Sequence, residues 1–365
     1  MDERASSRLN AVNPILGVHE AEVPPPGFDP LSASPDDLER YWLPSRPNPA
    51  TEPVFYRHWE EMLSPVPTFA AAKSFEPPRA AAIDDSREVG APQEQDCRLL
   101  GGGSRIETSR NWSGAYVGAR DALRFTRVVG RWNIPAILKA GIPPEKIIGS
   151  LVRDMDTLPY HYSTWIGLGG KRRWMRSLPQ MGTEQVLDMK SGQSTQNLWW
   201  QWWVRGMQSL PQLITGVSVA AGDTVLCSLT AVQPDVVRFH VMVRNDTNGT
   251  RIFTTVSVQC LVPVEGSTAE WIVERPCWPF VARRDYGGRD DDDIDPGPMF
   301  PMPDYGTITF GNCAASMGAE QEVDLSASKL IRLVQTVPDL GKTASISIPR
   351  RLGRDRSSIM LTYSR

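Results

Sequence analysis

The side chains with which this chain could do chemistry are four histidines, five cysteines, and a few carboxylates and carboxamides set in apolar runs. His19, His58, His161 and His240 are scattered, and only the last two lie in the half that reads as folded. No G-x-S-x-G elbow occurs, so a Ser-His-Asp hydrolase has little support. No H-E-x-x-H occurs, which disfavours zinc peptidases of that type. Cys97, Cys227, Cys260, Cys277 and Cys313 lack C-x-x-C spacing, so no structural zinc is expected, and their odd number leaves a thiol free. Gly167-Leu168-Gly169-Gly170 follows a strand pattern but opens no helix, so it reads as a turn rather than a phosphate loop. The acids and amides inside strand patterns remain. Alternation puts Glu270, Ile272 and Glu274 on one face and Trp271 and Val273 on the other. Leu178 and Gln180 share a face, as do Trp199, Gln201 and Trp203. Singly, each polar residue is by default a solvated surface group, and each tryptophan by default core. Trp199, Trp200, Trp202 and Trp203 cannot all face one core, however, so two must face the other side as an aromatic wall.

The elements that must position these groups are short strands. The chain has 365 residues, 41% apolar and 22% charged, with net charge −3. A large core is affordable, and no basic excess points to nucleic acid or an anionic membrane. No apolar run approaches the roughly 18 residues of a membrane span, and polar Met1–Ala11 lacks a secretory apolar region. The 31 prolines argue against a mostly helical fold. From Asn111 onward, Val-, Ile-, Thr- and Trp-rich runs alternate with turns such as Ala221-Gly222-Asp223 and Asn245–Gly249. Strands are expected at 111–117, 125–133, 162–168, 198–203, 213–219, 223–232, 236–244, 254–262, 270–274, 306–310, 345–348 and 359–363. The expected fold is all-β: a two-sheet antiparallel sandwich over residues 106–365. Residues 1–105 form a Pro-rich, mostly irregular segment. Within it, Ser34-Pro35-Asp36-Asp37 reads as a helix start, Tyr56–Leu63 as a second helical island, and 80–103 as linker. A helical turn is expected at 143–151. A long acidic loop at about 276–303 holds Arg289-Asp290-Asp291-Asp292-Asp293. It lacks the ligand spacing and turn glycine of an EF-hand loop, so it reads as solvated, with no metal.

Several segments in order carry a resemblance. They are Asn111-Trp112-Ser113-Gly114-Ala115, Val129–Pro135, Thr164-Trp165-Ile166-Gly167, Leu178-Pro179-Gln180-Met181-Gly182, Leu198–Trp203, Ala221-Gly222-Asp223, Ala269–Glu274 and Asp304–Phe310. In this order and with these gaps, over about Asn111 to Asn312, the chain resembles the glutamic peptidases called eqolisins. The resemblance implies a concanavalin A-like sandwich that cleaves polypeptides in acid with a Glu and a Gln and no metal or cofactor. Carried over, those two are Glu270 and Gln180. Trp165 is implied near the site, Trp199, Gln201 and Trp203 along the substrate groove, and Glu184 and Glu274 as supporting acids. The chain departs from the family pattern at Gly169, where an Asp is usual, and at Gln201, where a Glu is common. Chemically the pair is sound. A glutamate can be the base for a water, and a carboxamide N–H can donate to the oxyanion at any pH. A Glu–Gln pair also avoids the like-charge repulsion of two acids sharing a proton.

Two other classes remain open. A concanavalin-like glycoside hydrolase would use Glu270 and Glu274. Four strand steps, however, separate their Cα atoms by about 13 Å, beyond the roughly 5–9.5 Å that glycosidase carboxyls span. A non-catalytic module would bind peptide or sugar in the tryptophan-lined groove. For residues 1–105 two readings stand: a prosegment anchored over the cleft by Tyr41, Trp42 and Trp59, or an extension packed outside the sandwich. The family suggests a secreted protein, although no signal peptide is visible. Oligomeric state leaves no mark in the sequence.

Overall fold

Strand structure takes over where proline thins out. The computed structural model describes residues 13–75, 106–120, 123–137, 159–171, 175–207, 209–276, 299–318, 322–337, 342–352 and 355–364. In chain order the elements are β1 (Ile15–Glu20), α1 (Pro35–Arg40), α2 (Pro53–Leu63), β2 (Thr68–Phe69), β3 (Lys73–Phe75), β4 (Ile106–Ser109) and β5 (Trp112–Gly118). There follow β6 (Phe125–Asn133), β7 (Tyr160–Leu168), β8 (Ser177–Leu187), β9 (Ser194–Val204), β10 (Gln212–Thr215), β11 (Thr224–Gln233), β12 (Val236–Arg244) and β13 (Arg251–Cys260). The last are β14 (Thr268–Glu274), β15 (Thr307–Met317), β16 (Glu322–Val323), β17 (Lys329–Val337), β18 (Lys342–Arg351) and β19 (Ile359–Tyr363). The class is all-β. The helical turn expected at 143–151, the linker at 80–103 and most of the acidic loop lie outside the described residues.

Two antiparallel ladders carry the fold. One runs β1–β13–β12–β11–β6–β15. The other runs β18–β17–β5–β14–β7–β8–β9–β10–β3 and holds every residue singled out for chemistry. β15 joins them, pairing with β19 over Thr307–Phe310 and with β6 beyond. β2 and β4 add short parallel pairings to β13 and β17. Period-two alternation explains the core between the ladders. From β14, Trp271 turns inward and its indole N–H donates to the Val129 carbonyl of β6 at 2.7 Å. Trp132 of β6 donates to Thr183 Oγ1 of β8 at 3.1 Å. Trp200 of β9 stacks on Phe239 of β12 at 5.6 Å. Cys227, Cys260 and Cys313 are buried free thiols.

Residues 13–75 hold more regular structure than their proline content suggests. α1 starts as its sequence dictates: Ser34 Oγ caps it by accepting from the Asp37 N–H, with Pro35 in the first turn. α2 begins three residues earlier than expected, at Pro53. Both helices lie on the outer face of the first ladder: Leu38, Tyr41, Trp59 and Met62 pack against Leu226, Met242 and Phe253 of β11–β13, and Phe55 of α2 packs against Val129 of β6 and Ala314 of β15. Tyr41, Trp42 and Trp59 are therefore on the ladder that does not carry Glu270: Arg238 of β12 lies over the Trp42 ring. Two longer strands went unforeseen, β1 and β17, and β8 runs well past the Leu178–Gly182 stretch. Pro179 reads as a strand breaker, yet it sits near the start of β8, opposite Trp202.

Candidate active site

The register of five strands decides which side chains meet. Reading across β5, β14, β7, β8 and β9, the residues directly opposite one another are Tyr116, Glu270, Gly167, Gln180 and Gln201. Directly opposed residues project from the same face. Glu270 and Gln180 are thus two strands apart on one face, with Cα atoms about 9.6 Å apart from two strand spacings. Between them lies Gly167, which adds no side chain of its own, and Leu178 and Trp165 pack over it. A Cβ on Gly167 would come within 2.9 Å of Leu178 Cδ1, 3.0 Å of Trp165 Cζ3 and 3.2 Å of the Pro179 carbonyl oxygen. Glu270 and Gln180 are both buried.

The Gln180 amide is oriented by a relay. Its Nε2 donates to Gln201 Oε1 at 2.9 Å, and Gln201 Nε2 donates to the Ser209 carbonyl at 2.6 Å. A backbone carbonyl can only accept. Ser209 therefore fixes which end of Gln201 faces it, and Gln201 in turn fixes Gln180. One N–H of Gln180 and its Oε1 are left over, and Oε1 has no hydrogen-bond partner. Because Gln201 is an amide where the family often has an acid, no member of this relay titrates.

Four residues further along the same strands runs a second row: Trp112, Glu274, Ser163, Glu184 and Asn197. Trp165 stands in the row between. It is opposed by Gly182, whose added Cβ would lie 2.7 Å from Trp165 Cβ. The Trp165 indole N–H donates to Glu274 Oε2 at 2.7 Å, and its ring meets Trp112 edge-on at 5.2 Å. Burial pushes the Glu274 carboxyl up to about 7, against the opposing pull of the Trp165 N–H. Glu184 goes the other way. Burial raises it, but His161 at 3.3 Å and the Asn197 amide at 2.9 Å outweigh that and hold it below its ordinary value. Two acids in matching positions are thus held in opposite protonation states in mild acid.

Of the residues expected at the site, Glu270, Gln180 and Gln201 share the first row, Glu184 and Glu274 the second, and Trp165 divides the two. Trp199 and Trp203 do face this side, in a cluster with Trp112, Leu178, Ile272 and Ile331, while Trp200 and Trp202 turn to the core. They are 5% and 6% exposed, so the aromatic wall is nearly closed over. Sequence reasoning missed Tyr116, next to Glu270 in its row, whose hydroxyl donates to Glu107 Oε1 at 2.8 Å. Lys171 and Lys329 each lie 3.4 Å from the same Glu107 carboxylate. Tyr116 was findable, being two residues after Gly114 on the same strand face. The Ser209 carbonyl and His161 carry no such signal. Among the described residues, no three His, Cys, Asp or Glu side chains are grouped so as to hold a metal ion.

Comparison with known proteins bears on this geometry. A sequence description of the peptidase A4 family matches residues 110–349, about two thirds of the chain. The chain belongs to the peptidase A4 family. It is a glutamic-type peptidase, as the order of its motifs implied. Solved structures similar to this A4 peptidase include scytalido-glutamic peptidase with a transition state analogue inhibitor, at 17% identity and TM-score 0.47, covering 70% of this chain and 98% of that one. SCP-B, an eqolisin in complex with the tripeptide Ala-Ile-His, is similar at 16% identity and TM-score 0.45, with the same coverage of 70% and 98%. Aspergilloglutamic peptidase from Aspergillus niger is similar at 20% identity and TM-score 0.39, covering 56% of this chain and 99% of that one. No curated protein sequence matches the chain.

Proposed function

We propose that this A4 peptidase is an acid endopeptidase in which Glu270 and Gln180 act on one water held between them. The Glu270 carboxylate takes a proton as the water oxygen bonds to the scissile carbonyl carbon. The N–H of Gln180 that is not engaged by Gln201 donates to the oxyanion, and Gln180 Oε1 accepts from the attacking water. When the C–N bond breaks, the proton on Glu270 passes to the leaving amine. An acid and an amine are released, and Glu270 is again a carboxylate. Trp165, Trp199, Gln201 and Trp203 flank the substrate, and Glu184 and Glu274 support the strands that present the pair. The two ladders act as the sheets of a concanavalin A-like sandwich. The peptidase domain spans 106–365, and residues 1–105 are an extension of it.

The observation that carries this reading is the Glu270–Gly167–Gln180 row: a carboxylate and a carboxamide on one face, separated by a residue that contributes no side chain of its own. Cleavage of a peptide at pH 3–5 by the wild type, lost in Glu270→Gln and in Gln180→Glu, is the expected result. Equal cleavage by wild type and Glu270→Gln defeats it.

A further inference from the structure

The proposed site leaves unused the two most deeply buried histidines, and they face each other across one interface. His58 projects from α2 and His240 from the outer face of β12, and both are 2% exposed. They line a common cavity of about 90 Å³ together with Glu39, Arg127, Ser228 and Arg238. That cavity lies between the helical extension and the ladder that does not carry Glu270. Nδ1 and Nε2 of His58 and Nδ1 of His240 make no hydrogen bond there, while His240 Nε2 lies 2.9 Å from the Trp42 carbonyl. We propose that residues 35–63 form an acid-released clasp, in which protonation of His58 and His240 expels α1 and α2 from the outer face of β6, β11 and β12.

The charges around each ring set the direction. His58 is faced by Arg57 on its own helix and by Arg127 and Arg131 of β6. Burial and these cations, above all Arg131, hold it down to about 3, and the nearby Cys227 carbonyl only partly opposes them. His240 is faced by Arg238 on its own strand, by Glu39 of α1, and by the Trp42 and Ser228 carbonyls. Burial is again the main cause, and it is held down to about 4. The other latches are ion pairs: Glu39 with Arg238 at 2.6 Å, Glu52 with Arg127, and Glu61 with Arg244 at 3.7 Å. Arg238 keeps Glu39 below its ordinary value, so that latch persists below the usual carboxylate range.

Both histidines titrate lower docked than free, so docking is favoured while they are neutral. As pH falls below about 6.5 the released segment binds protons and the docked one does not, until about pH 4 for His240 and 3 for His58. Each histidine then multiplies the released fraction about tenfold per pH unit, and the two together about a hundredfold. Release bares Leu226, Met242 and Phe253 and leaves the Glu270 row untouched, because the clasp is on the other ladder. The clasp does not depend on the catalytic reading.

Hydrogen exchange on the full chain between pH 7 and pH 3, corrected for the intrinsic exchange rate, tests this. Amides of 53–63 should lose protection about a hundredfold per unit between about pH 6 and pH 4, while those of β7 and β14 keep theirs. His58→Leu or His240→Leu should each reduce that slope to about tenfold. Loss of β7 and β14 protection in step with 53–63, or an unchanged slope in both variants, overturns the clasp. If the variants do not fold, the wild type decides by NMR titration. Histidine rings that stay neutral while α2 is protected, and take up protons only as α2 loses protection, are expected. Titration near 6.5 with α2 protected refutes the proposal.

Discussion

Replacing Glu274 by glutamine tests the electrostatics of the site ladder. The carboxyl is buried, accepts from the Trp165 N–H at 2.7 Å, and is pushed up to about 7 from an ordinary value of 4.5. The folded state therefore holds a proton that the unfolded chain releases between those limits. A group of this kind stabilises the fold fully below about pH 4.5, and that contribution is lost as pH rises through 7. Two and a half units at 1.36 kcal/mol each make this about 3 kcal/mol. Glutamine keeps an oxygen for the Trp165 N–H and has no proton to lose. Urea denaturation at pH 4.5 and pH 8 should show the variant near or below wild-type stability in acid and gaining about 3 kcal/mol on it at pH 8. Other titrating groups cancel in the difference, since both proteins carry them. An unchanged gap between wild type and variant at the two pH values means that Glu274 does not hold its proton, and the burial argument fails.

Two further substitutions probe the row itself. Gly167→Ala puts a methyl 2.9 Å from Leu178 Cδ1 and 3.0 Å from the Trp165 ring; overpacking of this kind costs about 1–3 kcal/mol. Peptide cleavage should fall more than urea stability does, because the methyl also enters the gap between Glu270 and Gln180. Gln201→Glu keeps an acceptor for Gln180 but sets a carboxyl against the Ser209 carbonyl, where it must be protonated to donate. The pH–rate profile should gain a limb that falls as this carboxyl ionises, and Gln201→Leu should lower kcat at every pH. An unaltered profile in Gln201→Glu refutes the relay.

How much of this was legible in the sequence depends on the range of the interaction. Alternation along β14 told which face carries Glu270 and Glu274, because strand period is a local property. It also separated Trp199 and Trp203 from Trp200 and Trp202. The cap at Ser34 was readable for the same reason. Register between strands is not local. Nothing in the sequence says that Glu270 stands opposite Gly167 and Gly167 opposite Gln180, and the pairing of their motifs came from family resemblance alone. Alternation put Leu178 and Gln180 on one face, but nothing local fixes how far β8 runs beyond Gly182. Gly-Asn-Cys-Ala-Ala-Ser carries β15 well past Phe310 although those residue types are poor strand formers. Burial at the junction of both ladders decides there. The closed state of the aromatic wall was also beyond reach, since exposure depends on everything packed above it.

The two ladders respond to acid with opposite signs, and their connection explains why both responses fit in one chain. The Glu270 ladder contains Glu274, which is best accommodated protonated, so mild acid favours it; Glu184, held below its ordinary value, works the other way only in stronger acid. The interface of the other ladder with α1 and α2 contains two imidazoles that are best accommodated neutral, so acid opposes it. A single cooperative unit would sum these effects into one stability curve. The helices, however, touch the outer face of β11–β13 and make no part of the core between the ladders. Their opening is accordingly a local event, with a free energy below that of global unfolding. Acid that releases the clasp thus leaves the strands presenting Glu270 and Gln180 at or near their most stable.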